Sequence, residues 1–161
     1  MLKQPPFTLR AVRAADYALV GAWITDADGC RRWAGPQLVY PFQSEELAAL
    51  LKASAGNTFC LIDPECRVAG FGQILSTAPG TVHLARIIVD PAARGHRVGQ
   101  TLCQLLMEQA RRTLGPDRFT LRVYPDNLPA LATYQRLGFV SVDANPATGV
   151  LLMEKRLDLA Q

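Results

Sequence analysis

One segment constrains the fold more than any other. From Leu84 to Val89 the chain reads as an apolar strand, and Asp90-Pro91 stops it. A short basic loop follows, Arg94-Gly95-His96-Arg97. Val98 to Leu114 is then the longest helical pattern in the chain. Val98, Leu102, Leu105, Leu106 and Ala110 recur at helical spacing, and Gly115-Pro116 ends the run. Phe119, Leu121 and Val123 then alternate with polar residues as in a half-buried strand.

The loop is chemically unusual. The first turn of a helix carries backbone N–H groups without intrahelical partners, and Ser, Thr, Asp or Asn commonly caps them. No such residue stands just before Val98, and the first turn holds no acid. Basic side chains there oppose the helix dipole, at about 0.3–1 kcal/mol each when exposed. A phosphate would accept the free N–H groups and face Arg94 and Arg97, and Gly95 and Gly99 would let it approach the backbone. A solvated basic turn on a water-capped helix fits these residues equally well.

The remaining pattern is mixed. Phe7, Leu9 and Val12 suggest a first strand. Ala14 to Ile24 reads as a helix, Thr25 to Pro41 as a polar, turn-rich stretch, and Ser44 as the cap of a short helix through Ala53. Thr58–Ile62 and Val68–Ser76 form a hairpin about Asp63-Pro64-Glu65, and Val82–Val89 follows Pro79-Gly80. Asp126-Asn127 can cap a helix with Pro129 in its first turn, ended by Gly138. Two last strands lie near Phe139–Val142 and Val150–Leu157. The expectation is one α/β domain.

Composition narrows the function. The chain has 161 residues, 49% of them apolar, and a net charge of +3, a poor match to nucleic-acid or membrane binding. No apolar run long enough for a membrane span and no signal peptide is visible, so a cytoplasmic location is expected. Cys30, Cys60, Cys66 and Cys103 form no CxxC pair, so no metal site and no disulfide framework is expected. Gly70-Phe71-Gly72 lies within a strand pattern rather than between strand and helix, and is no dinucleotide fingerprint.

Arg94-Gly95-His96-Arg97-Val98-Gly99 resembles motif A of the GNAT superfamily of N-acetyltransferases, Arg/Gln-x-x-Gly-x-Gly/Ala, with Arg97 in place of the first glycine. Asn127-x-x-Ala130-x-x-x-Tyr134-x-x-x-Gly138-Phe139 is similar to motif B of that family, at the right distance and beyond an intervening strand. The resemblance covers Leu84 to Phe139. It implies a GNAT-like domain over 1–161, with a mostly antiparallel mixed sheet of six to seven strands and about four helices. Residues 1–80 would form the acceptor-side half and 81–161 the coenzyme core. It implies acetyl-CoA as cosubstrate, an amine acceptor that attacks the thioester directly, and no metal; a homodimer stays open.

By that resemblance Ile88, Val89, Arg94, Gly95, His96, Arg97, Val98, Gly99 and Asn127 contact the coenzyme. Tyr134 would also contact the coenzyme and protonate the departing thiolate, although helical spacing alone favours a core residue. The glutamate that many relatives carry four residues before the position of Val89 is Ala85 here. His83 is a base by residue type, though a lone histidine at a strand start is commonly structural. Trp33, Arg31 and Tyr40, in the turn-rich stretch, are the candidates for the acceptor site. The alternative is a GNAT-like domain that binds acyl-CoA without catalysis.

Overall fold

The two longest strands, β3 (Val68–Ala78) and β4 (Thr81–Val89), form the central hairpin of the sheet. The computed structural model describes residues 6–157. β1 (Thr8–Ala11) and β2 (Thr58–Ile62) extend the sheet on one side; β5 (Arg118–Val123), β7 (Leu151–Arg156) and β6 (Val140–Ala144) extend it on the other. The order is β1-β2-β3-β4-β5-β7-β6, and every neighbouring pair is antiparallel except β4 and β5. That parallel pair needs a crossover, which α4 (Val98–Leu114) supplies. Its 17 residues span about 25 Å, enough to carry the chain back along the sheet.

Alternation along β2 separates two cores. Phe59 and Leu61 pack with Leu102, Leu106 and Met107 of α4; Cys60 packs with Tyr17, Val20 and Leu47 on the other face. That second face is covered by α1 (Asp16–Ala22), α2 (Ala27–Ala34) and α3 (Leu47–Leu50), and α5 (Leu128–Arg136) lies with α4. The single α/β domain with a mixed seven-stranded sheet is as expected, with five α-helices among the described residues where about four were expected.

The extra helix is α2, in the stretch expected to be turns. Asp26 is extended, and its carboxylate accepts the Gly29 N–H at 2.6 Å as an N-cap. Cys30 and Trp33, three residues apart, make the buried face. Two aspartates and a glycine within two turns hid that spacing. A second correction concerns Ser44. A 3-10 turn runs Ser44–Glu46 behind an extended Gln43, with no side-chain cap, and only the single turn of α3 follows. Leu47 anchors that turn in the core, so packing rather than capping holds it.

Gly70 and Gly72 have a structural use. A Cβ on Gly72 would stand 2.7 Å from Leu106 Cδ1, and one on Gly70 3.1 Å from Leu102 Cδ2. The glycines let α4 sit close on β3. Leu106 is fully buried and cannot swing away. Gly72→Ala is expected to lower unfolding free energy by about 1–3 kcal/mol in urea titration. Gly56→Ala, where the added carbon meets nothing within 4 Å, should stay within about 0.5 kcal/mol of the parent.

Candidate functional site

β4 and β5 pair only at one end. Thr81, Val82 and His83 stand opposite Arg118, Phe119 and Thr120, and the register stops there. The cause lies on the other edge of β4. Gln73 pairs with Ala85 and Phe71 with Ile88, so Gly72 alone faces both Arg86 and Ile87. This is a β-bulge, with Arg86 at φ +49°. The bulge flips the alternation. Val82 and Leu84 belong to the α4-side core before it; Ile87 and Val89 pack there after it, and Ile88 joins the other face.

A left-handed arginine needs support. Trp33 Nε1 donates to the Arg86 carbonyl at 2.8 Å, and Arg86 Nη1 donates to Gln73 Oε1 at 3.1 Å. Gln73 is fully buried and donates in turn to the Leu51 carbonyl (3.0 Å) and Thr58 Oγ1 (2.9 Å). Trp33 also stands edge-on to Phe71, ring centroids 5.9 Å apart.

The gap between the strands is a cavity of about 480 Å³. Arg31 to Pro36 wall one side, His83 to Ile87 and Leu121 to Tyr124 the strand edges, and Leu75, Asn127, Tyr134, Asn145, Thr148 and Val150 the rest. Tyr134 is buried, and its hydroxyl makes no hydrogen bond among the described residues. Burial first, and then Cys103, push its pKa well above the ordinary tyrosine value, so it keeps its proton at neutral pH. His83 is pushed down to about 4 by burial and by Arg122 and Arg86; its Nδ1 lies 2.8 Å from Thr120 Oγ1. It is therefore neutral at pH 7. Among the described residues no aspartate or glutamate lines the cavity.

The basic loop lies outside that cavity. Asp90 caps a 3-10 turn, Pro91–Ala93, by accepting the Ala92 N–H at 2.9 Å. Arg94, Gly95, His96 and Arg97 are exposed. Gly95 has φ +94° and Arg97 φ +57°, so the position where motif A carries glycine is a left-handed one, and here an arginine adopts it. No side chain caps α4, and its first backbone bond is Thr101 N–H to the Arg97 carbonyl at 3.1 Å. The Val98, Gly99 and Gln100 amides thus have no backbone or side-chain acceptor among the described residues. Nothing lies within 4 Å of a Cβ built on Gly95, and the nearest atom at Gly99 is 3.7 Å away. Exposed cations, unpaired amides and clear space fit a diphosphate.

The structure brings Arg31, Trp33, Asn127 and Tyr134 together around the cavity. Ile88 and Val89 lie on β4 just beyond its lining, and Tyr40 stands outside it, edge-on to Phe42. Asn127 caps α5, with Oδ1 accepting from Ala130 N–H at 3.4 Å. Arg31 bonds Asp28, and Arg32 bonds Asp28 (2.9 Å) and both carboxylate oxygens of Asp126 (2.7 and 2.8 Å) while stacking on Tyr124. Sequence reasoning missed Arg86, Gln73 and Arg122. The shift of parity between Val82/Leu84 and Ile87/Val89 was the available signal of the bulge. Among the described residues no His, Cys, Asp or Glu group could hold a metal ion, and no helix is long and apolar enough to cross a membrane.

Left-handed backbone costs a non-glycine residue about 1–2 kcal/mol, partly offset by the greater chain entropy of unfolded glycine. Arg97→Gly should therefore raise unfolding free energy by about 0.5–1 kcal/mol, while Arg97→Ala, which keeps the Cβ, should not. Urea unfolding of the two variants checks this; equal stability of Gly and Ala at 97 would contradict a strained loop.

The sequence pattern of the acetyltransferase (GNAT) family matches residues 27–139. The chain is 30% identical over 117 residues to a mycothiol acetyltransferase from Salinispora tropica, covering 66% of this chain and 38% of that protein. It is 36% identical over 78 residues to one from Mycobacterium avium, covering 45% and 25%. The chain thus spans well under half the length of these relatives. Among solved structures, a spermidine N-acetyltransferase from Vibrio cholerae, in complex with CoA and spermine, superposes with a TM-score of 0.77 at 18% identity, covering 93% of this chain and 95% of that one. A GNAT-family acetyltransferase from Bacillus anthracis gives 0.76 at 14% identity, covering 96% and 97%. The chain belongs to the GNAT family of acetyltransferases.

Proposed function

We propose that the protein transfers the acetyl group, or another short acyl group, of acyl-CoA to a primary amine by direct attack. The observation that carries this reading is the position of Tyr134. Its hydroxyl is protonated, without a hydrogen-bond partner among the described residues, and at the wall of a cavity opened between two strands. The uncapped start of α4 supports it.

Acyl-CoA supplies a thioester whose carbonyl carbon forms the new N–C bond as the C–S bond breaks. The amides of Val98 to Gln100, with Arg94 and Arg97, would hold the diphosphate. Beyond His83 the β5-facing edge of β4 has no strand partner. Backbone N–H groups of that edge near Ile88 and Val89 would bind the pantetheine and polarise the carbonyl, while the Val89 carbonyl itself accepts from Arg94 Nε at 3.3 Å. Tyr134 gives its proton to the leaving sulfur, and the proton lost by the amine nitrogen returns to the phenolate through solvent. His83 is too weak a base at neutral pH to strip an ammonium, so the amine must arrive neutral. Residues 1–80 would form the acceptor-side half and 81–161 the coenzyme core, in the cytoplasm.

Calorimetric titration should show saturable acetyl-CoA binding with no response to NADH or ATP. Tyr134→Phe should keep that affinity and lower kcat by about 10²-fold or more in a thiol-release assay. Unchanged turnover would remove Tyr134 as the acid. Binding without thiol release on any amine would favour the non-catalytic acyl-CoA-binding reading.

A further inference from the structure

The cavity has a one-sided charge. Among the described residues, every charged side chain in its lining is an arginine: Arg31, Arg32, Arg86 and Arg122. Arg31 and Arg32 are answered by Asp28 and Asp126. Arg86 is not. It is half-buried, and among the described residues its one side-chain partner is the neutral amide oxygen of Gln73. One of its five N–H donors is so used. Burial without a counter-ion lowers its pKa. Arg122, on the facing strand, makes no side-chain hydrogen bond or ion pair among the described residues. A half-buried guanidinium without a carboxylate is unfavourable unless a ligand supplies one.

We propose that the acceptor is a small amine bearing a carboxylate, of the amino-acid class, whose carboxylate is held by Arg86 with Arg122 across the opening. This rests on the acyltransfer reading above. Gln73 is fixed by Leu51 and Thr58, so the guanidinium is placed in advance of binding. Arg86 follows Ala85, the position of the relatives' glutamate, so the strand presents a cation beside the place of the usual base. That cation has two effects. It rejects acceptors that carry only positive charge, since no carboxylate in the lining balances them. It also disfavours the ammonium form of a bound amine, which helps deliver the neutral nucleophile without a general base.

The test uses matched pairs: protein amino acids, their carboxamides, and spermidine as a purely cationic amine, each with acetyl-CoA in a thiol-release assay. The carboxamides have the more acidic ammonium groups, so amine basicity alone favours them. The wild type is expected to show kcat/KM at least tenfold higher for an amino acid than for its amide. Arg86→Gln should erase that preference by raising KM for the acid at least tenfold, and Arg86→Lys should recover part of it. Acetyl-CoA affinity by calorimetry should stay within twofold in both variants. Loss of acetyl-CoA binding in step with activity would assign Arg86 to the coenzyme and overturn the inference. Equal loss on acid and amide, or a preference for spermidine, would also overturn it. If acetyl-CoA binds but no amine is acetylated, the acyltransfer reading fails on its own. Titrating the amino acids into the acetyl-CoA complex then decides the anion site: saturable binding abolished in Arg86→Gln upholds it, and no binding overturns it.

Discussion

A strand residue in the left-handed region is destabilised by about 1–2 kcal/mol, and Arg86 sits there in the middle of β4. The bond from the Trp33 indole to its carbonyl, and the chain of amide contacts from Arg86 through Gln73 to Leu51 and Thr58, hold it in place. The rest of the site depends on this arrangement. The bulge turns β4 by one residue, its register with β5 ends at His83, and the edges of two strands are left facing a cavity instead of each other. A parallel pair kept in register to Val89 would have closed the opening.

Charge is then distributed so that the opening and the loop outside it suit different chemistry. The start of α4 offers unpaired amides and exposed arginines. The tyrosine is buried enough to stay protonated, and the histidine enough to stay neutral. Arg32, pairing with Asp126 across 94 positions of sequence, ties α2 to the loop before α5. Through that tie and Trp33, α2 is fixed to β4 and to the loop that follows β5.

Much of the C-terminal half was legible because its signals are local. The spacing of Val98, Leu102, Leu106 and Ala110, the stop at Gly115 and the cap at Asn127 each act within one helix. The ordered motifs then placed loop and tyrosine in one family. The N-terminal half was harder because distant partners hold it. α2 owes its buried face to Phe71 and Arg86, neither near it in sequence. Ser44 has the residue type of a cap but stands inside a 3-10 turn set by the burial of Leu47. Arg86 read as an ordinary strand residue, since a bulge is a property of two paired strands. Arg31 and Arg32 looked available, yet nearby and remote aspartates already engage them.

The most direct test is amide hydrogen exchange with and without acetyl-CoA. If the opening between β4 and β5 is the coenzyme site, protection should concentrate in Ile87 to Gln100 and in Leu121 to Asn127, with β1 and β2 unchanged. Protection elsewhere, with the loop at Arg94–Gly99 and the edge of β4 exchanging as before, would contradict the account.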